Sequence, residues 1–191
     1  MASAIGLAVT SPLLLAGAVA IRLDSHGSCF YRQPRVGLHG RPFTILKFRT
    51  MVADADRGRP ITTGGDDRIT RVGGWLRRFK LDELPTLWNV LKGDMSLVGP
   101  RPEIPLYVER YTAEQRRVLS VRPGITDPAT LRFDDEAALL ADANSYEETY
   151  VNLILPEKLR LNLEYMDSKS FLSDLRLILS TILLMGKRKS S

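Results

Sequence analysis

The sequence predicts an α+β fold, mostly helical, around one small antiparallel β element. Three observations predict it: an uncharged apolar run over residues 2–21, a turn-interrupted stretch rich in Val, Phe and Ile at 31–51, and helix-like stretches through most of the remaining chain. At 191 residues the chain suits one domain with a core of useful size, and 44% apolar with 26% charged residues is a globular composition. Disorder is excluded. The formal charge of +5 is unevenly placed, with 15 Lys and Arg against 8 Asp and Glu in residues 22–101. That half attracts anions: nucleic acid, phosphorylated small molecules or anionic lipid. A single cysteine, Cys29, excludes a disulfide framework and fits a reducing cytosolic setting, and with only His26 and His39 beside it no structural zinc set is expected.

Residues 2–21, ASAIGLAVTSPLLLAGAVAI, would as a straight helix reach about the ~30 Å hydrocarbon thickness of a bilayer. This is a membrane segment, and three topologies compete for it. Ala18-Val19-Ala20 has the small-residue pattern of a cleaved signal, but no basic residue precedes the apolar run, where such signals carry one. A plain spanning helix would be followed by Arg22, Arg32, Arg35, Arg41 and Lys47, which would keep the bulk of the chain in the cytoplasm. A re-entrant helix would use Thr10-Ser11-Pro12: Pro12 breaks the ladder, the two hydroxyls take freed carbonyls, and the chain returns to the face it entered from.

Further along, YRQPRVGLHGRPFTILKFRTM (31–51) places Gly37 to Gly40 between strand-like runs and predicts a short β-hairpin. RGRPITTGGDDRITRVGG (57–74) is loop chemistry, rich in Gly and charge. In WLRRFK (75–80), Trp75, Leu76 and Phe79 stand beside Arg77, Arg78 and Lys80, a pattern that suits a headgroup surface or an ordinary helix on a core. Residues 84–92 predict a helix with Pro85 in its first turn and Gly93 after its end. Residues 103–120 and 134–166 predict longer helices, separated by the Arg122-Pro123-Gly124 turn. The C-terminal SFLSDLRLILSTILLMGKRKSS is interrupted by Asp174 and Arg176, and so predicts a surface-lying or core-docked helix with a basic end.

The chemistry concentrates in FKLDELPTLWNVLKGDMSLVGPRPE (79–103). Adjacent acids ahead of a Pro-started helix are most often favourable charges at the positive end of its dipole. Asp82 and Glu83 allow more, because neighbouring helical residues point in different directions and can take separate parts. One could attack phosphorus while the other holds a metal, and a diphosphate substrate usually arrives with Mg²⁺ on one or two carboxylates. Such a site needs fixed cations. Arg101, between Pro100 and Pro102, is one, with Lys47, Arg49, Arg77, Arg78 and Lys80 elsewhere in the basic half.

Taken together, this stretch, FTILKFRTM (43–51), RITRVGGWLRR (68–78), the VRPGIT run (121–126) and the N-terminal SPLLL followed by IRLDSHGSCFYRQPRVG resemble the bacterial sugar transferase family, the monotopic phosphoglycosyl transferases. The likeness covers nearly the whole chain in order. It implies transfer of a phosphosugar from a UDP-sugar to polyprenyl phosphate, with Mg²⁺ and release of UMP, as the first membrane step in making a surface glycan. It also implies a re-entrant helix broken at Ser11-Pro12, and selects that topology among the three. Residue by residue, the resemblance makes Asp82 the nucleophile and Glu83 the Mg²⁺ ligand, matches Pro100-Arg101-Pro102 to a nucleotide-side loop, and puts Lys47 near the phosphates. Arg77, Arg78 and Arg122 are further substrate-binding candidates.

Two departures from the family pattern stand out. Many relatives continue after Gly124-Ile125-Thr126 with a Gly-Trp/Leu-Ala-Gln-Val-Asn-Gly run, where this chain reads DPATLRFDDEAALLAD; and Asn162 stands where many carry Asp. The expectation is the small, core-only form: a membrane helix over 1–24 and a catalytic domain over 25–191 on the cytoplasmic face of the bacterial inner membrane. Expected partners are the UDP-sugar, polyprenyl phosphate and the bilayer; nucleic acid is not expected, since only 7% of residues are aromatic, and a homodimer is left open. Two other classes use the same features: a phosphohydrolase with water as acceptor, and a non-enzymatic basic membrane adaptor.

Overall fold

The computed structural model describes residues 2–53, 55, 66–133, 136–141 and 145–187. The first element, α1 (Ala2–Asp24), is helical throughout with Pro12 inside it. Pro12 has no N–H for the carbonyl of Ala8, and Ser11 Oγ donates to that oxygen at 2.8 Å, while Thr10 Oγ1 donates to Gly6 O at 2.7 Å. At about 1.5 Å per residue its 23 residues are long enough to cross a bilayer if straight. Ile5, Val9, Leu13, Leu15, Val19 and Leu23 are each more than half exposed along it. Its other side is packed: Ile21 is buried with Phe48 and Leu76, and Leu14 and Ala18 lie against them.

The predicted hairpin is present. β1 (Phe30–Val36) and β2 (Pro42–Phe48) pair antiparallel, with Tyr31 opposite Lys47, Gln33 opposite Ile45 and Arg35 opposite Phe43. These six residues share one face of the ribbon. The turn between the strands uses His39 at φ 55°, a left-handed position that His tolerates better than most residues.

α2 (Arg71–Arg78) starts at Thr70, whose side chain accepts the Gly73 N–H. Its first turn therefore corrects the loop expected over 71–74; residues 57–65 of that loop lie outside the described residues. A β-carbon at Gly73 would stand 2.0 Å from Thr50 O, so only glycine lets the helix seat there. Leu76 is buried and Trp75 is 56% exposed, which matches the two-sided pattern of 75–80. The helix predicted over 84–92 is instead a 3₁₀ segment at Leu81–Thr86 followed by α3 (Leu87–Lys92), which ends as expected on Gly93 at φ 85°.

β3 (Ser96–Val98) and β4 (Gly124–Thr126) form a parallel pair that the sequence does not announce, being too short for an alternation to register. The long helix expected over 103–120 is also corrected. Only α4 (Pro105–Val108) and a 3₁₀ turn at Gln115–Ser120 form there. Thr112 Oγ1 accepts the Gln115 N–H while Gln115 Oε1 accepts the Thr112 N–H, a reciprocal cap that starts a new turn at 112.

The helix expected over 134–166 breaks in the same way. Its described parts are α6 (Glu136–Ala141) and α7 (Tyr146–Thr149), followed by a π turn at Tyr150–Ile154 and α8 (Leu155–Ser168); α5 (Pro128–Arg132) precedes them. Pro156 removes a backbone donor where the π turn ends, and the ladder widens around it. Tyr107, Val108, Tyr111 and Val118 meet Leu140, Tyr150, Ile154, Leu155 and Leu159 in the larger core. The last helix, α9 (Phe171–Lys187), packs on α5, β3 and β4, yet Leu172, Leu179, Ile182 and Leu183 are half exposed or more. It is both docked and apolar outward.

Candidate active site

Asp82 and Glu83 stand on the 3₁₀ segment 81–86, which the chain enters through Lys80 in the left-handed region (φ 55°). That conformation is costly for a side-chain-bearing residue and is here followed at once by the acid pair. The segment and the helix α3 that follows it are fastened to the outer edge of β2 by two buried side chains. Thr86 Oγ1 donates to Leu46 O at 3.0 Å; Asn89 accepts from Leu46 N–H at 3.0 Å and donates to Thr44 O at 2.7 Å. Asn89 thus pairs a strand edge as a further strand would, and fixes the dyad against Lys47.

Glu83 is boxed in by cations. Lys47 Nζ donates to Oε1 at 2.7 Å, Arg101 Nη2 also donates to Oε1, and Arg101 Nη1 reaches Oε2 at 3.3 Å. Burial pushes the Glu83 carboxyl up, but Arg101 and Lys47 outweigh it and hold it well below the usual carboxylate range. Burial in turn lowers the Lys47 ammonium, helped by the Arg101 charge and opposed by Glu83.

Asp82 is the opposite case. Among the described residues it has no hydrogen-bond or ion-pair partner, and burial together with the Glu83 charge raises its carboxyl above the ordinary value, against the pull of Lys47, Arg77 and Lys80. On a 3₁₀ segment neighbours diverge by about 120°. Glu83 lines a cavity, and Asp82, which does not, lies within electrostatic reach of Lys47 and of Arg77 on α2. There, Arg77 donates from Nε to Thr50 Oγ1 at 2.7 Å, and burial, opposed by the Asp82 charge, lowers its guanidinium below its usual value.

The cavity holds about 250 Å³, counted with the solvent space at its mouth. Arg35, Lys47, Glu83, Arg101, Pro102, Gly124 and Ile125 are among its walls; Asp82 is not. Loop 99–102 brings Arg101 in by close backbone packing. Gly99 N–H donates to Thr126 O at 3.1 Å and Gly124 N–H to Pro100 O at 3.0 Å, at an approach where a β-carbon on Gly124 would meet Gly99 N at 2.2 Å.

Of the residues the sequence singled out, Asp82, Glu83, Lys47, Arg77 and Arg101 gather at the dyad, with Pro100 and Pro102 shaping the loop. Arg78 is exposed, its guanidinium 5.8 Å from the Phe79 ring centroid, and Arg122 is exposed with Nε donating to Gly93 O at 2.9 Å; neither lines the cavity. Arg35 does line it, held by Gln33 Oε1 and by Pro102 O at 3.0 Å. Sequence reasoning missed it as a site residue, although once Lys47 is a candidate, the pairing of the hairpin puts Tyr31, Gln33 and Arg35 on the same face.

A carboxylate has about four lone-pair positions, and Glu83 uses three, with only the long Arg101 contact on Oε2. That oxygen keeps a lone pair of the type a hard cation takes, although Lys47 and Arg101 already balance the carboxylate's charge. Among the described residues no three acidic, His or Cys side chains cluster around a metal position.

The site is thus one carboxylate held by two cations beside a second without a bonded partner among the described residues, on a chain whose first helix is apolar along its exposed side. Residues 1–188 match the family described as bacterial sugar transferase, and the chain belongs to that family. It is 39% identical over 193 residues to the UDP-glucose:undecaprenyl-phosphate glucose-1-phosphate transferase of Caulobacter vibrioides, covering 95% of this chain and 66% of that protein. It is 39% identical to the undecaprenyl-phosphate glucose phosphotransferase of Komagataeibacter xylinus, over 95% of this chain and 34% of the relative. With a UDP-glucose:undecaprenyl-phosphate glucose-1-phosphate transferase of Escherichia coli it shares 34% identity over 92% of its own length and 36% of the other. The chain thus spans between a third and two thirds of these relatives.

Proposed function

We propose that this chain is a phosphoglycosyl transferase, moving a sugar 1-phosphate from a UDP-sugar to a polyprenyl phosphate at the cytoplasmic face of the bacterial inner membrane, as the opening step of a surface glycan. The observation that carries the reading is the division of the acid pair: one half-buried carboxylate without a hydrogen-bond or ion-pair partner among the described residues, beside one neutralised by two cations. The names of the relatives give the substrate class.

In this reading Asp82 Oδ attacks the phosphorus next to the sugar, the bond from that phosphorus to the UMP oxygen breaks, and a phosphosugar stays on Asp82. An oxygen of the polyprenyl phosphate then attacks the same phosphorus, giving a polyprenyl diphosphate sugar and restoring the carboxylate. Arg77 flanks the attacking side. Lys47, within the electrostatic reach of both acids, steadies charge between them. Arg101 and Arg35 take the diphosphate on the cavity side, Arg101 by trading part of its contact with Glu83 for phosphate oxygen. Glu83 would hold Mg²⁺, which when bound neutralises diphosphate charge and eases departure of UMP.

The membrane part rests on the family resemblance and on the exposed apolar side of α1. We assign 1–24 to a re-entrant helix and 25–191 to the catalytic part. Ile21 and Phe48 share a core across that boundary, and Leu81, next to the dyad, packs against it. UMP release, measured with and without polyprenyl phosphate, tests the function. Turnover dependent on acceptor supports the transferase; equal turnover without it would mean a phosphohydrolase, and none across a panel of UDP-sugars a non-enzymatic adaptor.

A further inference from the structure

We infer that Asp127 is a positioning residue for Arg101, an inference that rests on the phosphate role proposed for Arg101 above. Arg101 meets two carboxylates from opposite directions. Its guanidinium reaches Glu83, and its backbone N–H donates to Asp127 Oδ2 at 2.8 Å. Asp127 is fully buried, 0% exposed. Its Oδ1 accepts the Thr130 N–H at 2.5 Å, capping α5, and its Oδ2 also accepts from Asn162 Nδ2 of α8 at 3.1 Å. Among the described residues it makes no ion pair.

A helix cap does not account for this arrangement. One acceptor oxygen suffices for a cap, and Ser, Thr or Asn would supply it without burying a charge. The second oxygen is the one turned to Arg101. Elsewhere in the loop the backbone is held by main chain or by the β1 strand: Gly99 by Thr126 O, Pro100 by Gly124 N–H, Pro102 by Arg35. At 101 the partner is a charged side chain, itself gripped by α5 and α8. The position from which Arg101 extends toward Glu83 is therefore set by Asp127, at the head of α5, together with Asn162 of α8.

The experiment separates the two oxygens. Asp127→Ser keeps a hydroxyl that can cap α5 but is too short to reach the Arg101 N–H, whereas Asn could rotate and keep either bond. In the full-length chain, in detergent or nanodiscs, equilibrium binding of UDP is measured for the parent, D127S, R101A and D127S/R101A, with thermal melting alongside. If Asp127 acts through Arg101, D127S should weaken UDP by about tenfold in the parent and by less than about twofold in the R101A background. A penalty of the same size in both backgrounds would overturn the inference and leave Asp127 a structural cap. Unchanged UDP affinity in R101A alone would overturn the proposed role of Arg101 and, with it, this inference. Should D127S not fold, N162A asks the same question by releasing Asp127 from α8, with a smaller penalty that must likewise vanish with R101A; one that persists would contradict the inference.

Discussion

Positions 82 and 83 are adjacent on one turn, yet the two sides of that turn are built differently. The Glu83 side is a polar box of Lys47, Arg101 and Arg35, closed by a loop whose backbone is bonded at every residue from 99 to 102. The Asp82 side has burial and nearby positive charge but no hydrogen bond to the carboxylate itself among the described residues. The contrast teaches how one chain makes two like groups unlike: neutralise one with bonded cations, and bury its neighbour beside it without a donor. The first is held ionised and fixed. The second keeps its lone pairs available.

The largest expected effect comes from the undonated side. Asp82→Asn should reduce turnover by about a thousandfold or more, since it removes the nucleophile with little change in shape. The same change should stabilise the fold at neutral pH. Because the folded-state pKa of Asp82 is raised, the native protein binds this proton more readily than the unfolded chain does, so stability falls as pH rises from the ordinary carboxylate value through the raised one. Melting curves at pH 7 check the sign; a destabilised D82N would mean that the carboxylate has stabilising partners in the folded chain.

Glu83→Gln should behave in reverse. Removing one member of this part-buried cluster leaves Lys47 and Arg101 facing an amide and should cost about 1.5–3 kcal/mol, below the value for a fully buried pair. The Glu83 pKa is depressed, so its contribution is present above the unfolded value and is lost as pH falls through the folded one; the gap between parent and E83Q should close on acidification. Denaturant titrations across pH test this, and a gap that widens toward acid would contradict the cation box.

Smaller effects sharpen the cavity side. Arg101→Lys keeps the charge but loses the fork, and should lower kcat/KM by roughly tenfold to a hundredfold, less than Arg101→Ala. Full activity in the lysine variant would leave only a point charge there. The smallest change concerns topology. In a Cys29→Ser background, Ala4→Cys should stay unlabelled by a membrane-impermeant thiol reagent applied from the periplasm, and Pro12→Ala should increase labelling. Labelling of the parent from outside would favour a spanning helix.

Much of this was legible in the sequence, for identifiable reasons. The apolar N-terminal helix, the hairpin and the end of α3 at Gly93 rest on local signals: an uncharged run, a Gly-rich turn, a left-handed cap. The dyad, Lys47 and Arg101 were legible as residue types and through family resemblance. What was not legible depends on partners distant in sequence. The β3–β4 pair needs Gly99 against Gly124, the reciprocal cap of Thr112 and Gln115 overrides helical propensity, and Pro156 turns one long helix into a π turn and a new start. Arg35 and Asp127 look like ordinary charges until strand register brings one to the cavity and burial fixes the other behind Arg101. Arg78 and Arg122 show the converse: both flank the right motifs in sequence, and both point elsewhere.

The central claim is that Asp82 forms a covalent bond to the phosphosugar, and intact-protein mass spectrometry tests it most directly. The full-length chain is mixed with a UDP-sugar and Mg²⁺ in the absence of polyprenyl phosphate. A phosphosugar adduct should appear on the parent, be absent from Asp82→Asn, and disappear from the parent when acceptor is added. An adduct that persists in Asp82→Asn, or UMP release that requires both substrates to be bound first, would contradict it.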